Sequence, residues 1–293
     1  MFLRFAIVVA AASAVVTAHG QFVLVAEAGS PGNIRKLGMD GSDQGVFASV
    51  SGRAIGLKVS PTNSIFVSSD LDNKIYKFDM SGALQASFNS LGGFPTDIEF
   101  DQAGNIYVAN NGIGEIRKFS SSGSDLGIFA TTGGFATGLL TLQNGDLLVS
   151  DLGLSRILRY NSSGALLGTF ANTPVPVNMC LDQSGNVLVT TFAGQVRKYS
   201  SLGADLGVFS TTLGQPWGIT QDGSGGYLVT KSQVSGTGLI RKLDAFGNDV
   251  GSFTTASLAS PEGIAVVPVP EPATMAILGL GTAALLRRRR KQD

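Results

Sequence analysis

The 293-residue sequence is poor in the residues that most often carry enzyme chemistry. Its one histidine, His19, lies among the first twenty residues, so the rest of the chain has no imidazole for Ser-His-Asp or Cys-His catalysis, or for an ordinary zinc site. Its one cysteine, Cys180, has no partner for an intramolecular disulfide, and we expect it to act as a small buried apolar residue. The chemistry left to the chain is that of carboxylate, amide and hydroxyl oxygens.

Charge is sparse, at 14% of residues, and the whole chain is formally neutral. Residues 21–268 contain 15 basic and 19 acidic groups, because six basic and two acidic residues lie nearer the chain ends. Binding to a phosphate backbone requires basic patches. We therefore expect no nucleic-acid partner.

Two apolar runs near the chain ends are both shorter than the roughly 20 residues that cross a bilayer as a helix. The first, Phe5–Val16, follows Arg4 and precedes the small residues Ala18 and Gly20. This order is typical of a secretory signal peptide over residues 1–20, with cleavage predicted between Gly20 and Gln21. An uncleaved membrane anchor is the alternative.

What the chain does contain is a repeat. Six copies of a seventeen-residue phrase, such as GEIRKFSSSGSDLGIFA, start 39 to 44 residues apart, a period typical of propeller blades or helical pairs. The phrases alternate apolar and polar residues and turn on glycine, which favours strands. The copies start at Gly32, Asn73, Gly114, Ser155, Gly194 and Gly238.

Each period is predicted to form four strands. In the third period, strand A is PTDIEF, strand B is NIYVAN, and the phrase supplies strands C and D. The repeat region begins with a B strand at residues 21–28 and ends with an A strand at Pro261–Val267. One blade would therefore join both termini and leave no exposed edge. The sequence predicts an all-β, six-bladed β-propeller over residues 21–268, followed by a short C-terminal hydrophobic helix.

Two columns of repeated residues support this prediction. Six phenylalanines recur on strand D, where we expect contacts between neighbouring blades: Phe47, Phe88, Phe129, Phe170, Phe209 and Phe253. Basic pairs recur on strand C and are expected to be spread around the ring: Arg35-Lys36, Arg117-Lys118, Arg197-Lys198 and Arg241-Lys242.

The best single match to the consensus, Pro95–Gly123, resembles NHL-repeat propellers. The consensus is P-x-G-I-x-x-D-x-x-G-N-I-Y-V-A-N followed by I-R-K-F, and the resemblance covers residues 21–268. The resemblance implies a six-bladed propeller. It says little about function, because this architecture serves binding modules, lactonases, lyases and scaffolds.

The C-terminal residues 269–293 resemble a PEP-CTERM sorting signal. They contain the triplet Pro270-Glu271-Pro272, the apolar run Ala273–Leu286, and the basic cluster Arg287, Arg288, Arg289 and Arg290 followed by Lys291. Fourteen residues of helix extend about 21 Å, less than the roughly 30 Å of a hydrocarbon core. The arginines are expected on the cytoplasmic side, with the propeller across the inner membrane. A tail anchor that is never processed is the alternative.

The resemblance to a PEP-CTERM signal implies both partners and a cellular location. The partners would be the Sec export machinery and a membrane exosortase of a Gram-negative bacterium, with transient insertion of the C-terminal segment into the inner membrane. The destination would be the cell surface or the extracellular polysaccharide matrix.

A resemblance to gluconolactonase-like propellers suggests a metal on the ring axis, held by ligands from the starts of A strands. The matching candidates are Asp97, Asn178 and Glu262, although Glu262 is one residue out of step, and strand alternation would turn it away. Calcium is the metal this donor set would take. Trp217, at the expected mouth of the channel, is a candidate platform for a sugar ring or a core residue.

Two functional hypotheses follow from the sequence. The favoured one is a non-catalytic binding or scaffold module without a cofactor, for an exopolysaccharide or a matrix protein. The alternative is a calcium-dependent lactone hydrolase of the gluconolactonase-like type.

Overall fold

The computed structural model describes residues 21–211, 214–232 and 237–268. Within it, Phe22–Val267 form one compact unit. The described residues contain no helix long and apolar enough to cross a membrane. The expected signal peptide (1–20), and the expected sorting signal with its short helix (269–293), lie outside the described residues.

Blade 1 joins the two ends of the propeller. Strand β25 (Pro261–Val267) pairs antiparallel with β1 (Phe22–Glu27), which continues to β2 (Gly32–Gly38) and β3 (Asp43–Val50). Phe22 lies opposite Val267 in this pairing, so main-chain hydrogen bonds close the ring. The predicted all-β, six-bladed propeller, with one blade shared between the termini, is confirmed.

Each of the other blades is formed by four consecutive strands, labelled A to D from the axis outward. Blade 2 contains β4 (Ala54–Val59), β5 (Ile65–Ser69), β6 (Lys74–Phe78) and β7 (Leu84–Asn89). Blade 3 contains β8 (Pro95–Phe100), β9 (Ile106–Asn110), β10 (Glu115–Phe119) and β11 (Asp125–Thr131). Blade 4 contains β12 (Ala136–Thr141), β13 (Leu147–Asp151), β14 (Arg156–Tyr160) and β15 (Leu166–Asn172).

Blade 5 contains β16 (Pro176–Leu181), β17 (Val187–Thr191), β18 (Gln195–Tyr199) and β19 (Asp205–Thr211). Blade 6 contains β20 (Gln215–Gln221), β21 (Tyr227–Ser232), β22 (Thr237–Leu243) and β23 (Asp249–Ser252), and the short β24 (Leu258–Ala259) pairs with β22.

The A–B and C–D turns lie on one face of the ring, which we call the turn face. The A strands begin on the opposite face, which we call the strand-start face.

Neighbouring blades interlock through the D-strand phenylalanines. Phe47 packs against the apolar cluster between blades 1 and 2, and its carbonyl oxygen lies 2.3 Å from where a Cβ on Gly82 would be. Gly82 is in the C–D turn of the next blade and has a φ of 87°, a conformation that glycine adopts without strain. The other five phenylalanines also pack against apolar clusters, as predicted.

Hydroxyl groups tie the innermost strands together. Thr190 Oγ1 donates to the carbonyl of Trp217 at 2.6 Å, and Thr230 Oγ1 donates to that of Glu262 at 2.5 Å. Similar bonds join blades 2 to 3, 3 to 4 and 4 to 5, from Ser68, Thr96 and Thr137. Because each bond crosses a blade boundary, these hydroxyls hold the A strands around the axis.

Most of the basic side chains in the strand C pairs form ion pairs with nearby aspartates. Arg117 pairs with Asp125 on strand D at 2.7 Å, and Lys118 pairs with Asp101 of the A–B turn at 2.9 Å. The arginines of the other three pairs each reach the aspartate eight residues further on. As predicted, the pairs are spread around the ring and form no basic patch.

Candidate functional site: the axial channel and its mouth

The six A strands surround an axial cavity of about 340 Å³. Its polar lining includes Lys58, Asp97, Asn178 and Gln221, and its apolar lining includes Leu140 and Met179. The volume lies in the range of small-molecule sites. The axis therefore offers a site for part of a small polar ligand.

Two of the three predicted metal ligands meet in this channel. Asn178 Nδ2 donates to Asp97 Oδ2 at 3.0 Å, although the two residues belong to blades 5 and 3. Gly138 occupies the corresponding position in the intervening blade, and its missing side chain lets the neighbouring strand approach closely. The same Oδ2 accepts the backbone N–H of Leu139 at 2.9 Å, while Oδ1 accepts that of Ile98 at 2.9 Å.

Burial controls the charge of Asp97. Loss of hydration raises the pKa of this carboxyl to about 6, and the charge of Lys58 and the two backbone N–H donors offset part of the increase. Asp97 therefore changes charge in the mildly acidic range.

A lysine that sequence reasoning missed lies beside Asp97. Lys58 Nζ lies 2.6 Å from Glu99 Oε2. Burial alone would lower the pKa of Lys58, but the charges of Glu99 and Asp97 more than offset it, and the net shift is upward. The pair could have been predicted from strand alternation, because residues two apart point to the same side of a strand. Lys58 is two residues after Gly56, and Glu99 is two residues after Asp97, and both of these earlier residues face the axis.

Cys180 also lines the channel, two residues after Asn178. The expected burial of Cys180 is only partial, since the residue is half-buried and packs against an apolar cluster that includes Leu188 and Val229. Loss of hydration raises the pKa of its thiol to about 12, an effect that Lys58 offsets in part. The sulfur is therefore a protonated thiol at neutral pH and a weak nucleophile.

Glu262, the third predicted ligand, is not among the residues that line the channel, whereas the next residue, Gly263, is. Glu262 is 7% exposed, and its Oε2 has no hydrogen-bond partner. Burial raises its pKa to about 8; the nearby Arg53 lowers it, and Asp70 adds to the increase. The structure thus brings Asp97 and Asn178 together and turns Glu262 towards the Arg53–Asp70 ion pair.

The channel residues do not fit a calcium ion. Both oxygens of Asp97 already accept backbone hydrogen bonds, and the ammonium of Lys58 acts on the same carboxylate. Calcium takes six to eight oxygen ligands and is repelled by a neighbouring cation. Among the described residues, no group of three or more His, Cys, Asp or Glu side chains is arranged to hold a metal ion.

Three aromatic side chains lie near the starts of the A strands, on the strand-start face. Trp217 lines the cavity and contacts Phe192, with ring centroids 5.1 Å apart. Phe94 and Phe135 directly precede strands β8 and β12 and are 51% and 48% exposed. Gly-Gly-Phe precedes both strands, 41 residues apart, but the two rings were missed because the other four blades have no aromatic residue at this position.

Local contacts position both exposed rings. The backbone N–H of Phe94 donates to Asn73 Oδ1 at 3.0 Å, and its φ of 58° is unusual for a bulky residue. The backbone N–H of Phe135 donates to Asp151 Oδ1 at 3.1 Å. Asp151, at the end of a B strand, therefore caps the segment that leads into strand β12.

The comparisons with known proteins agree with this architecture. The PEP-CTERM protein-sorting motif matches residues 268–291. No curated protein matches the chain in sequence. Among solved structures, a chain of a nidogen/laminin complex is 17% identical, with a TM-score of 0.72, covering 85% of this chain and 98% of its own.

Two bacterial structures are also similar. A protein of unknown function from Bacteroides caccae is 14% identical, with a TM-score of 0.70, covering 85% of this chain and 99% of its own. A gluconolactonase from Xanthomonas campestris, XC5397, is 19% identical, with a TM-score of 0.59, covering 68% of this chain and 75% of its own. At these identities the similarity shows the fold alone.

The chain is thus a six-bladed β-propeller with a polar axial channel and exposed aromatic rings on the strand-start face. It carries a PEP-CTERM protein-sorting motif, which marks it for export and membrane-anchored sorting in a Gram-negative bacterium.

Proposed function

We propose that this protein is an exosortase-sorted propeller that binds a ligand without catalysis at the cell surface or in the extracellular matrix. Residues 1–20 would direct Sec export, and residues 269–293 would hold the chain in the inner membrane until exosortase processes it. The propeller of residues 21–268 would then be the functional module.

We further propose that the ligand is a neutral or weakly charged exopolysaccharide. The observation that carries this proposal is that Trp217 lines the channel together with the Asp97–Asn178 pair, while the exposed rings of Phe94 and Phe135 lie on the same strand-start face. Aromatic faces provide apolar contact area for the C–H surface of a sugar ring, and a few convergent polar groups bind its hydroxyls. A matrix protein is the other partner class, and the test below separates the two.

The channel chemistry supports binding over catalysis. Lys58 is held as an ammonium by two carboxylates, and Cys180 is a protonated thiol. Neither is an activated nucleophile. The lactone-hydrolase alternative draws support only from the axial position of Asp97 and Asn178, because the calcium that it requires does not fit these residues.

The test is binding of polysaccharides from the producing strain, measured by affinity electrophoresis and calorimetry on the full chain. Trp217→Ala and Phe135→Ala should each weaken binding about tenfold, since one stacked ring contributes about 1.4 kcal/mol. Leu167→Ala is the matched control, because Leu167 is an exposed apolar residue on the outer strand of blade 4.

If all three variants lost binding, or if none did, the strand-start face would not be the binding site. Retention of a matrix protein without any polysaccharide would identify the other partner class. Lactone turnover that is lost in Asp97→Ala, together with calcium binding lost in the same variant, would replace the proposal with the hydrolase.

A further inference from the structure

The six C–D turns have the same backbone geometry but differ in the residue at the tip of the turn. In each turn the backbone N–H of a glycine donates to the carbonyl three residues earlier, as from Gly203 to Ser200 at 2.9 Å and from Gly247 to Asp244 at 3.1 Å. The residue before the glycine is the tip. In blades 1 to 4 the tips are small and polar: Asp40, Ser81, Ser122 and Ser163.

Blades 5 and 6 depart from this pattern. Their tips are Leu202 and Phe246, which are 84% and 83% exposed, more than any other large apolar residue among those described. Because the turn geometry is the same in all six blades, a leucine and a phenylalanine are not needed to form these turns. Two exposed apolar tips at the same turn position in neighbouring blades indicate an apolar partner on the turn face.

The path of the chain identifies that partner. Blade 6 packs against blade 1, where Leu228 and Ile240 share an apolar cluster with Val23 and Ile264. Strand β25 of blade 1 starts on the strand-start face and ends at Val267 on the turn face. The sorting motif begins at the next residue, 268, and its apolar run starts at Ala273. A membrane that holds this run is therefore only a few residues from the turn face of blade 1.

We propose that Leu202 and Phe246 insert into the lipid surface of the membrane that holds the C-terminal segment. The inference rests on the membrane step of the proposed function. Aspartates elsewhere on the turn face, such as Asp79 and Asp101, give no attraction to anionic lipid. Insertion is thus apolar, as for interfacial side chains, and is independent of salt.

The test uses the full chain bound to phosphatidylcholine vesicles whose acyl chains are brominated, which quenches indoles in the bilayer. In a Trp217→Phe background, Phe246→Trp places the only indole at the tip in blade 6. Ser122→Trp places it at the same turn position in blade 3, on the opposite side of the ring, as the matched control. The unmodified chain reports Trp217 on the strand-start face.

We expect the indole at 246 to lose roughly half of its emission and to shift to the blue, while those at 122 and 217 are unaffected. Anionic lipid and added salt should not change the result. If the protein floats with the vesicles but the indoles at 246 and 122 are quenched equally, the insertion of Phe246 is wrong. The membrane step of the proposed function would still stand. Chain that does not float would contradict the membrane step of the proposed function, and the inference with it.

Discussion

Asn178 and Asp97 are 81 residues apart in the chain, yet their side chains hydrogen-bond across the axis at 3.0 Å. The bond spans blade 4, where Gly138 leaves room for it. The two residues, which the sequence suggested as metal ligands, thus form a contact between two blades. The ammonium of Lys58 stabilises the charged form of the Asp97 carboxylate.

The buried Glu262 should make the propeller less stable as the pH rises. Its pKa is about 8 in the folded state and 4.5 in the unfolded chain, so folding retains a proton that unfolding releases between these values. Unfolding free energy from urea titration should fall between pH 5 and pH 8 by up to about 3 kcal/mol from this residue. Glu262→Gln should remove most of this loss, and Asp244→Asn, at an exposed turn, should not. Identical pH profiles for all three proteins would contradict a buried neutral Glu262.

Replacing Lys58 should lower the free energy of unfolding by more than the Lys58–Glu99 ion pair contributes to it. Lys58→Met leaves the carboxylates of Glu99 and Asp97 without their cation, which should destabilise the fold by about 3 kcal/mol. Adding Glu99→Gln should recover part of this loss, since a neutral amide does not need the cation. Urea unfolding of the two single variants and the double variant gives the coupling energy. Strict additivity would show that the two side chains do not interact.

The C–D turn glycines should differ sharply from the glycines on the outer strands. Gly82→Ala places a Cβ 2.3 Å from the carbonyl oxygen of Phe47, so we expect a loss of more than about 2 kcal/mol. Gly127→Ala is the matched control: its φ of 98° is as strained for alanine, but a Cβ there meets nothing within 4 Å. Its cost should be about 1 kcal/mol, from backbone strain alone. Equal melting temperatures for the two variants would contradict the interlocking of neighbouring blades.

Cys180 should report access to the channel. Because its thiol has a pKa of about 12, it forms roughly a thousandth as much thiolate at pH 8 as free cysteine, and its reaction with a disulfide reagent should be at least about tenfold slower even though that thiolate is the stronger nucleophile. Unfolding in urea should abolish the difference. Ser122→Cys in a Cys180→Ser background provides an exposed control thiol. A fast reaction at Cys180 in the folded protein would place the thiol outside the channel.

Much of the fold was predictable because repeats reveal their period. Alternating strands, turn glycines and the D-strand phenylalanines recur at fixed offsets, and the unpaired strands at the two ends indicated the shared blade. Asp97 and Asn178 were found at the axis for the same reason. Phe94 and Phe135 were missed because the segments that carry them vary from blade to blade.

The period, the strands and the sorting motif could be predicted from the sequence, since each of these is set by neighbouring residues or by regular spacing. Which polar groups meet at the axis depends on the tertiary structure. Closure of the ring brings Lys58, Asp97 and Asn178 into one cavity from three blades, while Glu262, one position out of step, faces Arg53 and Asp70. The physical reason is that strand alternation sets the side to which each residue points, but only ring closure sets the distances between residues of different blades.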